Sequence, residues 1–190
     1  MRQVNDEHGG GTNALVGRWS ELVPITSEDY PYLYDLTTSG DSALRWRYRG
    51  ATPDPAMFQR QLWEGVLVQY LIAGRQSSRI GGLVAVHGAV HEDGYAYLSI
   101  VLSPEAQRAI WPFEGAIRFV CHVFQTWPLR KLYLNVPAFN MPPLASLVSR
   151  YASREGLLRD HTFAWGRYWD EHVLSIRRET VEEVALRHGF

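Results

Sequence analysis

The chain has a single cysteine. That excludes an internal disulfide and a cysteine-rich zinc site, and it suits a reducing, cytoplasmic setting. Net charge is almost absent: 19 Lys+Arg stand against 20 Asp+Glu, a formal −1. Nothing in that balance supports a nucleic-acid binder that works by neutralising phosphates. No apolar run reaches the length of a bilayer span, and the first residues lack the basic end and apolar stretch of a signal peptide, so no membrane role is expected. His122, His161 and His172 show no metal-ligand spacing, and no metal is expected.

What the chain holds in quantity is aromatic side chains, 13% of 190 residues, with 7 Trp and 10 Tyr. Exposed aromatic patches are uncommon, so most of these must line a core or a pocket. The 46% apolar content is that of a folded domain, and the length suits one. Residues 1–17, polar and glycine-rich, read as a disordered tail. Residues 18–178 read as a single domain, and residues 179–190 as a C-terminal tail or short helix.

Local patterning orders the domain. Residues 18–25 suit a first strand. Thr26, Ser27, Glu28 and Asp29 form a helix start, with Tyr30, Leu33 and Tyr34 following at helical spacing. Residues 44–57 read as a loop and 58–66 as a second helix. Strands are expected over 67–73, 80–87 and 95–102, with a hairpin turn at 91–94. A helix over 112–125 carries Ile117, Val120, Cys121 and Phe124 on one stripe. A strand over 131–136, a helix over 142–153 and an antiparallel pair within 156–176 complete the order. The strand–helix–strand step implies a right-handed crossover and the flanking hairpins imply antiparallel pairing. The result is a mixed α+β sheet of six or seven strands.

This order resembles the GNAT acetyltransferases, and within them the ribosomal-protein N-acetyltransferase-like branch. Leu22-Val23-Pro24-Ile25-Thr26-Ser27-Glu28-Asp29 is similar to that branch's "LRPLTEED" opening. Ile80-Gly81-Gly82 resembles its "piG" strand entry. Asn140, then Glu155-Gly156-Leu157-Leu158-Arg159, resembles "N…EGvlR", and Gly166-Arg167-Tyr168-Trp169-Asp170 with Val173-Leu174-Ser175-Ile176 resembles its ending. The resemblance covers about residues 18–178. It implies a mostly antiparallel sheet with a central parallel pair that splays near Leu102, and helices on both faces.

The same resemblance implies acetyl-CoA or another acyl-CoA as co-substrate. Main-chain groups of Ile100 and Leu102 would pair with the pantetheine arm, and Asn140 would sit close to it, or cap a helix before Pro142. Family members cradle the pyrophosphate on a Q/R-x-x-G-x-G/A loop, where glycines let backbone N–H groups approach the anion. The matching residues are Gln107, Arg108, Ala109, Ile110, Trp111 and Pro112, with Glu114 on the family's "TEA" glutamate. Ile110 and Pro112 stand where the glycines or alanine belong. A branched Cβ resists positive φ, and proline has no N–H to donate. Weakened pyrophosphate binding is therefore expected. Gln107 and Arg108 either hold phosphate or are solvated loop residues.

An attacking amine must lose a proton, so a base is needed. Candidates near the expected cleft are His87, His91, Glu92, Tyr97 and Ser99, with His87, Tyr97 and Ser99 preferred; a hydrogen-bonded structural role suits each as well. The family's helix tyrosine acid has no counterpart, because Leu147 takes its place. Cys121 reads as a buried, inert thiol. Arg45, Trp46, Arg47 and Tyr48 are either an acceptor wall, favouring an acidic or flat aromatic partner, or packing. The implied function is acyl-CoA-dependent transfer of an acetyl or other acyl group to the amine of a small molecule or peptide, and a homodimer is left open. Two alternatives remain: a protein of this fold that has lost coenzyme binding and serves as a binding or assembly module, or one that takes its acyl group from a carrier protein.

Overall fold

The computed structural model describes residues 15–188 apart from 41 and 78. Strand β1 (Ser20–Val23) is followed by a 3-10 turn and helix α1 (Tyr30–Thr38), the short helix α2 (Ser42–Arg45) and helix α3 (Pro55–Trp63). Strands β2 (Val66–Gly74), β3 (Ile80–Val90) and β4 (Tyr95–Leu102) form an antiparallel meander. Helix α4 (Trp111–Thr126) crosses to β5 (Lys131–Pro137). Helix α5 (Met141–Tyr151), the hairpin β6 (Ser153–Ala164) and β7 (Arg167–Arg177), and helix α6 (Arg178–His188) follow. All seven strands share one sheet in the order β1-β2-β3-β4-β5-β7-β6. Only β4 and β5 are parallel.

The strand alternation sends side chains to two cores. Val84, Val86, Ala96, Leu98, Leu132, Leu134 and Leu174 pack under α4, α5 and α6. Leu71, Leu83 and Val101 point the other way, against Leu33, Leu36, Phe58 and Leu62 of α1 and α3. Helix α4 approaches β2 closely because residue 115 is glycine: a Cβ there would stand 2.5 Å from the Ile72 side chain. Arg178 gathers carbonyls at and just beyond the C-terminal end of α4, where no helical N–H can reach. Its Nε donates to Leu129 O at 2.9 Å and its Nη2 to Trp127 O at 2.7 Å, while Nη1 donates to Phe124 O.

Three expectations are corrected. The expected loop over 44–57 and helix over 58–66 give way to α2 and to a helix that starts at Pro55. The Asp54 carboxylate accepts from the N–H groups of Ala56 and Met57, and proline suits the first helical turn. Trp46, read as part of a wall, is buried at 8% exposure among the aliphatic residues under α1 and α3. The splay of β4 from β5 begins well before Leu102: their ladder holds only Tyr95, Ala96 and Tyr97 against Lys131, Leu132 and Tyr133. Each strand has a continuous antiparallel partner on its other edge, so each follows the twist of that partner. Leu98, Ile100 and Leu134 then line the fork opposite Ala116, Ile117 and Val120 of α4.

Residues 1–14 of the expected tail lie outside the described residues. Residues 15–17 are held in place: Leu15 packs against the α4-side core and its carbonyl accepts from Leu22 N at 2.8 Å. The clamp is Glu114. Its carboxylate accepts from the N–H groups of Arg18 (2.8 Å), Trp19 (2.9 Å) and Ser20 (2.9 Å) and from Ser20 Oγ (2.9 Å). Burial pushes this carboxyl up, but the four hydrogen bonds outweigh it and hold it below the usual carboxylate range.

Glu114→Ala leaves those donors unmatched and should cost about 2–4 kcal/mol, with Glu114→Gln in between. The wild-type contribution is complete above the ordinary glutamate range and disappears as pH falls through the lower folded value. Urea unfolding of the three proteins at neutral pH should rank them so, and the gap between wild type and Glu114→Ala should shrink in acid.

Candidate active site

The fork between β4 and β5 is the breach around which the site is built. Ser103 N donates to Gly81 O at 2.8 Å, toward β3. The β3–β4 register is unbroken from Gly82/Leu102 to His87/Tyr97, so successive amides alternate sides. The N–H groups of Ile100 and Leu102 therefore face the breach, where β5 no longer pairs. On the α4 side, Leu98, Ile100, Ile117, Leu134 and Tyr151 line an apolar cavity of about 30 Å³.

The opposite face at the same level is polar. His87 Nε2 lies 2.9 Å from Ser99 Oγ. The imidazole stacks on Tyr97, with centroids 6.0 Å apart and planes 20° from parallel. Tyr97 is half of the last parallel pair, so the three residues stand at the vertex of the fork. Burial lowers the His87 pKa, and the Arg47 guanidinium lowers it further. The ring is thus neutral near pH 7, with one nitrogen free to take a proton. Beyond Tyr97, the Tyr133 ring carries the Lys131 ammonium at 4.3 Å. Lys131 also pairs with Glu155 at 3.3 Å, and Ser175 Oγ donates to Glu155 at 2.7 Å.

Sequence reasoning named His87, Tyr97 and Ser99 as the preferred candidates near the expected cleft, and these three stand next to one another. The structure leaves His91 and Glu92 in the β3–β4 turn, away from the vertex. Cys121 is buried, which pushes its thiol up to about 11. Asn140 stands at the N-cap position of α5 but makes no capping bond. A cap would accept from the second or third helical N–H, and those residues are Pro142 and Pro143. Its Oδ1 accepts instead from Arg45 Nη1. That guanidinium also lies over Phe139 at 5.4 Å and Trp165 at 5.3 Å, so it ties the 44–49 segment across the mouth of the fork.

Arg47 donates from Nη1 to Gln61 O at 2.7 Å. Tyr48 packs its ring 6.0 Å from Phe58, and burial raises its phenol pKa against the pull of Arg47. Sequence reading missed Gln69. It is 5% exposed on β2, and its Nε2 donates to Leu62 O at 3.2 Å. Its Oε1 has no partner, and neither have Trp46 Nε1, Tyr48 OH and Gln61 Oε1. Gln69, Ala85 and Ser99 form one row across β2, β3 and β4, so Gln69 shares a face with His87. An amide in the middle of an otherwise apolar strand was the signal available.

The loop from β4 to α4 does not form a phosphate cradle. The amide N–H groups of Gln107, Arg108 and Ala109 turn back onto the carbonyls of Ser103, Glu105 and Ala106 at 3.1, 3.4 and 3.0 Å. Ile110 has φ −83° and is 76% exposed. The Trp111 ring lies on Gly81, where a Cβ would meet it at 2.1 Å. Gln107 Nε2 donates to Leu102 O at 3.2 Å, and Arg108 is exposed. A cleft of about 680 Å³ beside this loop is lined by Glu28, Asp29 and Glu105 with Arg79. Its carboxylates make it a poor site for a diphosphate. The residues therefore fit a pantetheine arm in the fork and do not fit a family-type pyrophosphate cradle.

No protein-family model and no curated protein sequence matches the chain. Solved structures do. Spermidine N-acetyltransferase from Vibrio cholerae, in complex with CoA and spermine, aligns with TM-score 0.76 at 17% identity, covering 87% of this chain and 99% of that one. The same enzyme's complex with manganese ions gives 0.71 at 18% identity, covering 88% and 97%. A GNAT-family acetyltransferase from Bacillus anthracis gives 0.69 at 13% identity, covering 87% and 98%. At these identities the likeness establishes the fold: the chain has the seven-stranded GNAT architecture.

The His87 imidazole should titrate below the ordinary value of about 6.5. Arg47→Gln should raise its midpoint part of the way, since burial remains. Histidine-selective NMR titration of both proteins measures this.

Proposed function

We propose that this chain is an N-acyltransferase. The acyl donor is a thioester of a phosphopantetheine arm, acyl-CoA in the first instance, lying in the β4–β5 fork. The acceptor is a small-molecule or peptide amine on the His87 face. The observation that carries this reading is the His87–Ser99 pair, 2.9 Å apart at the vertex of the fork. It supports the reading because an imidazole, neutral near pH 7, lies beside the point where β4 and β5 part.

The outward amides of Ile100 and Leu102 would hold the arm as an added strand. The acceptor nitrogen attacks the thioester carbonyl carbon; a C–N bond forms and the C–S bond breaks. The nitrogen's proton passes to His87, directly or through the Ser99 hydroxyl, and the departing thiolate takes up a proton. Tyr97 stacks on the His87 ring, and burial together with the Arg47 charge keeps the imidazole unprotonated before attack. The inward-turned amides of 107–109 and Pro112 remove the usual diphosphate donors. Each missing charge-assisted bond costs about 1.5–3 kcal/mol, tenfold or more in affinity. The same observation favours, as second reading, a donor presented by a carrier protein, which needs no such cradle.

Calorimetry with acetyl-CoA should give a dissociation constant weaker than low micromolar. Thiol release from acetyl-CoA or an acetylated carrier, in the presence of amines, should fall about 10²–10⁴-fold in His87→Ala with the melting temperature kept. The acid limb of the rate should lie below the ordinary imidazole range, because the His87 pKa is lowered. Low-micromolar binding with the diphosphate on the amides of 108–113 would overturn the reading of the loop. Absence of thiol release from either donor would overturn the enzyme.

A further inference from the structure

We propose that the acceptor amine also carries a carboxylate, and that Arg47 receives it; this rests on the acyl-transfer reading above. The fixed charges around the His87 face decide the matter. Three guanidinium groups, those of Arg45, Arg47 and Arg49, stand on one exposed rim segment. Two carboxylates of β6 and β7 on this face are already matched. Glu171, 4% exposed, accepts from Thr162 Oγ1 and lies 4.0 Å from Arg49 and 3.9 Å from His161. Glu155 is held by Lys131 at 3.3 Å, Ser175 at 2.7 Å and Arg177 at 3.7 Å. A polyamine needs unmatched carboxylates for its several ammonium groups. On this face Glu171 and Glu155 are spent, the exposed Glu64 at the end of α3 is a single carboxylate, and the arginine rim repels cations.

A carboxylate-bearing amine meets the opposite situation. Arg47 is exposed and spends Nη1 on Gln61 O; a guanidinium has five donors, so it retains others for an anion. Its partner Gln61 O precedes Leu62 O, which holds Gln69 in the row that ends at Ser99, the partner of His87, so Arg47 stands at the edge of the His87 face. An anion on Arg47 therefore lies within one small molecule's span of the base.

The test uses the full chain and matched pairs that differ by one carboxylate: phenylalanine against phenethylamine, and 4-aminobutyrate against butylamine, with spermidine as the polycation. Ligand-observed NMR reads binding, and thiol release from the acetyl donor reads turnover. The carboxylate member of at least one pair should bind about tenfold tighter than its partner, with spermidine weakest. Arg47→Gln should erase the gap and Arg47→Lys should keep part of it, each at an unchanged melting temperature. Equal or tighter binding of spermidine or the amines without a carboxylate, a gap that survives Arg47→Gln, or binding of none of the compounds overturns the proposal. A carboxylate preference without thiol release removes the acyl-transfer reading and leaves the anion subsite. Turnover of spermidine in preference to the acids does the reverse.

Discussion

Strands β4 and β5 share a ladder at Tyr95–Tyr97 and lose it at the next residue, and this parting governs the rest of the molecule. A sheet with an unbroken ladder has no passage between its faces. Here β4 stays with β3 as far as Leu102 and β5 stays with β7 as far as Pro137, so the two halves of the sheet follow separate twists. The amides of Ile100 and Leu102 are left facing a gap. The apolar fork on the α4 side and the His87–Ser99 pair on the other face meet at its vertex. The chemistry proposed follows from that meeting, in which a donor comes from one face and an acceptor from the other.

Much of this was legible in the sequence because strands advertise their faces by alternation. Tyr95, Tyr97 and Ser99 against Ala96, Leu98 and Ile100 put the polar residues of β4 on one side, and His87 falls on the same side of β3. What escaped were outcomes set by tertiary neighbours. Trp46 sits between arginines in the sequence, yet its ring is covered by α1 and α3. Asn140 looked like a cap until two prolines proved to have removed the donors that a cap needs. The point of splay depends on what each strand pairs with on its far edge, which no local pattern encodes. Asp54-Pro55, by contrast, is a helix start visible in the sequence; the aromatic, arginine-rich stretch before it suggested a longer loop.

The β4–α4 loop shows how a substitution in one role can leave another intact. Ile110 and Pro112 displace the glycines of a phosphate-binding turn, and the amides of 107–109 serve the turn itself. Yet Glu114, at the matching helix position, gathers the N–H groups of Arg18, Trp19 and Ser20. Trp111 covers Gly81 and so couples the loop to the entry of β3. The helix N-terminus is thus committed to holding the fold, and the proposal leaves donor binding to the strand edge.

The strand edge can be watched directly. Amide hydrogen exchange at Ile100 and Leu102, followed by NMR with and without acetyl-CoA or an acetylated carrier, tests whether the gap takes a pantetheine arm. The account predicts that these two amides slow markedly on donor binding, while those of Val101 and Ser103, already facing β3, change little. A donor that binds yet leaves Ile100 and Leu102 exchanging as before would contradict it.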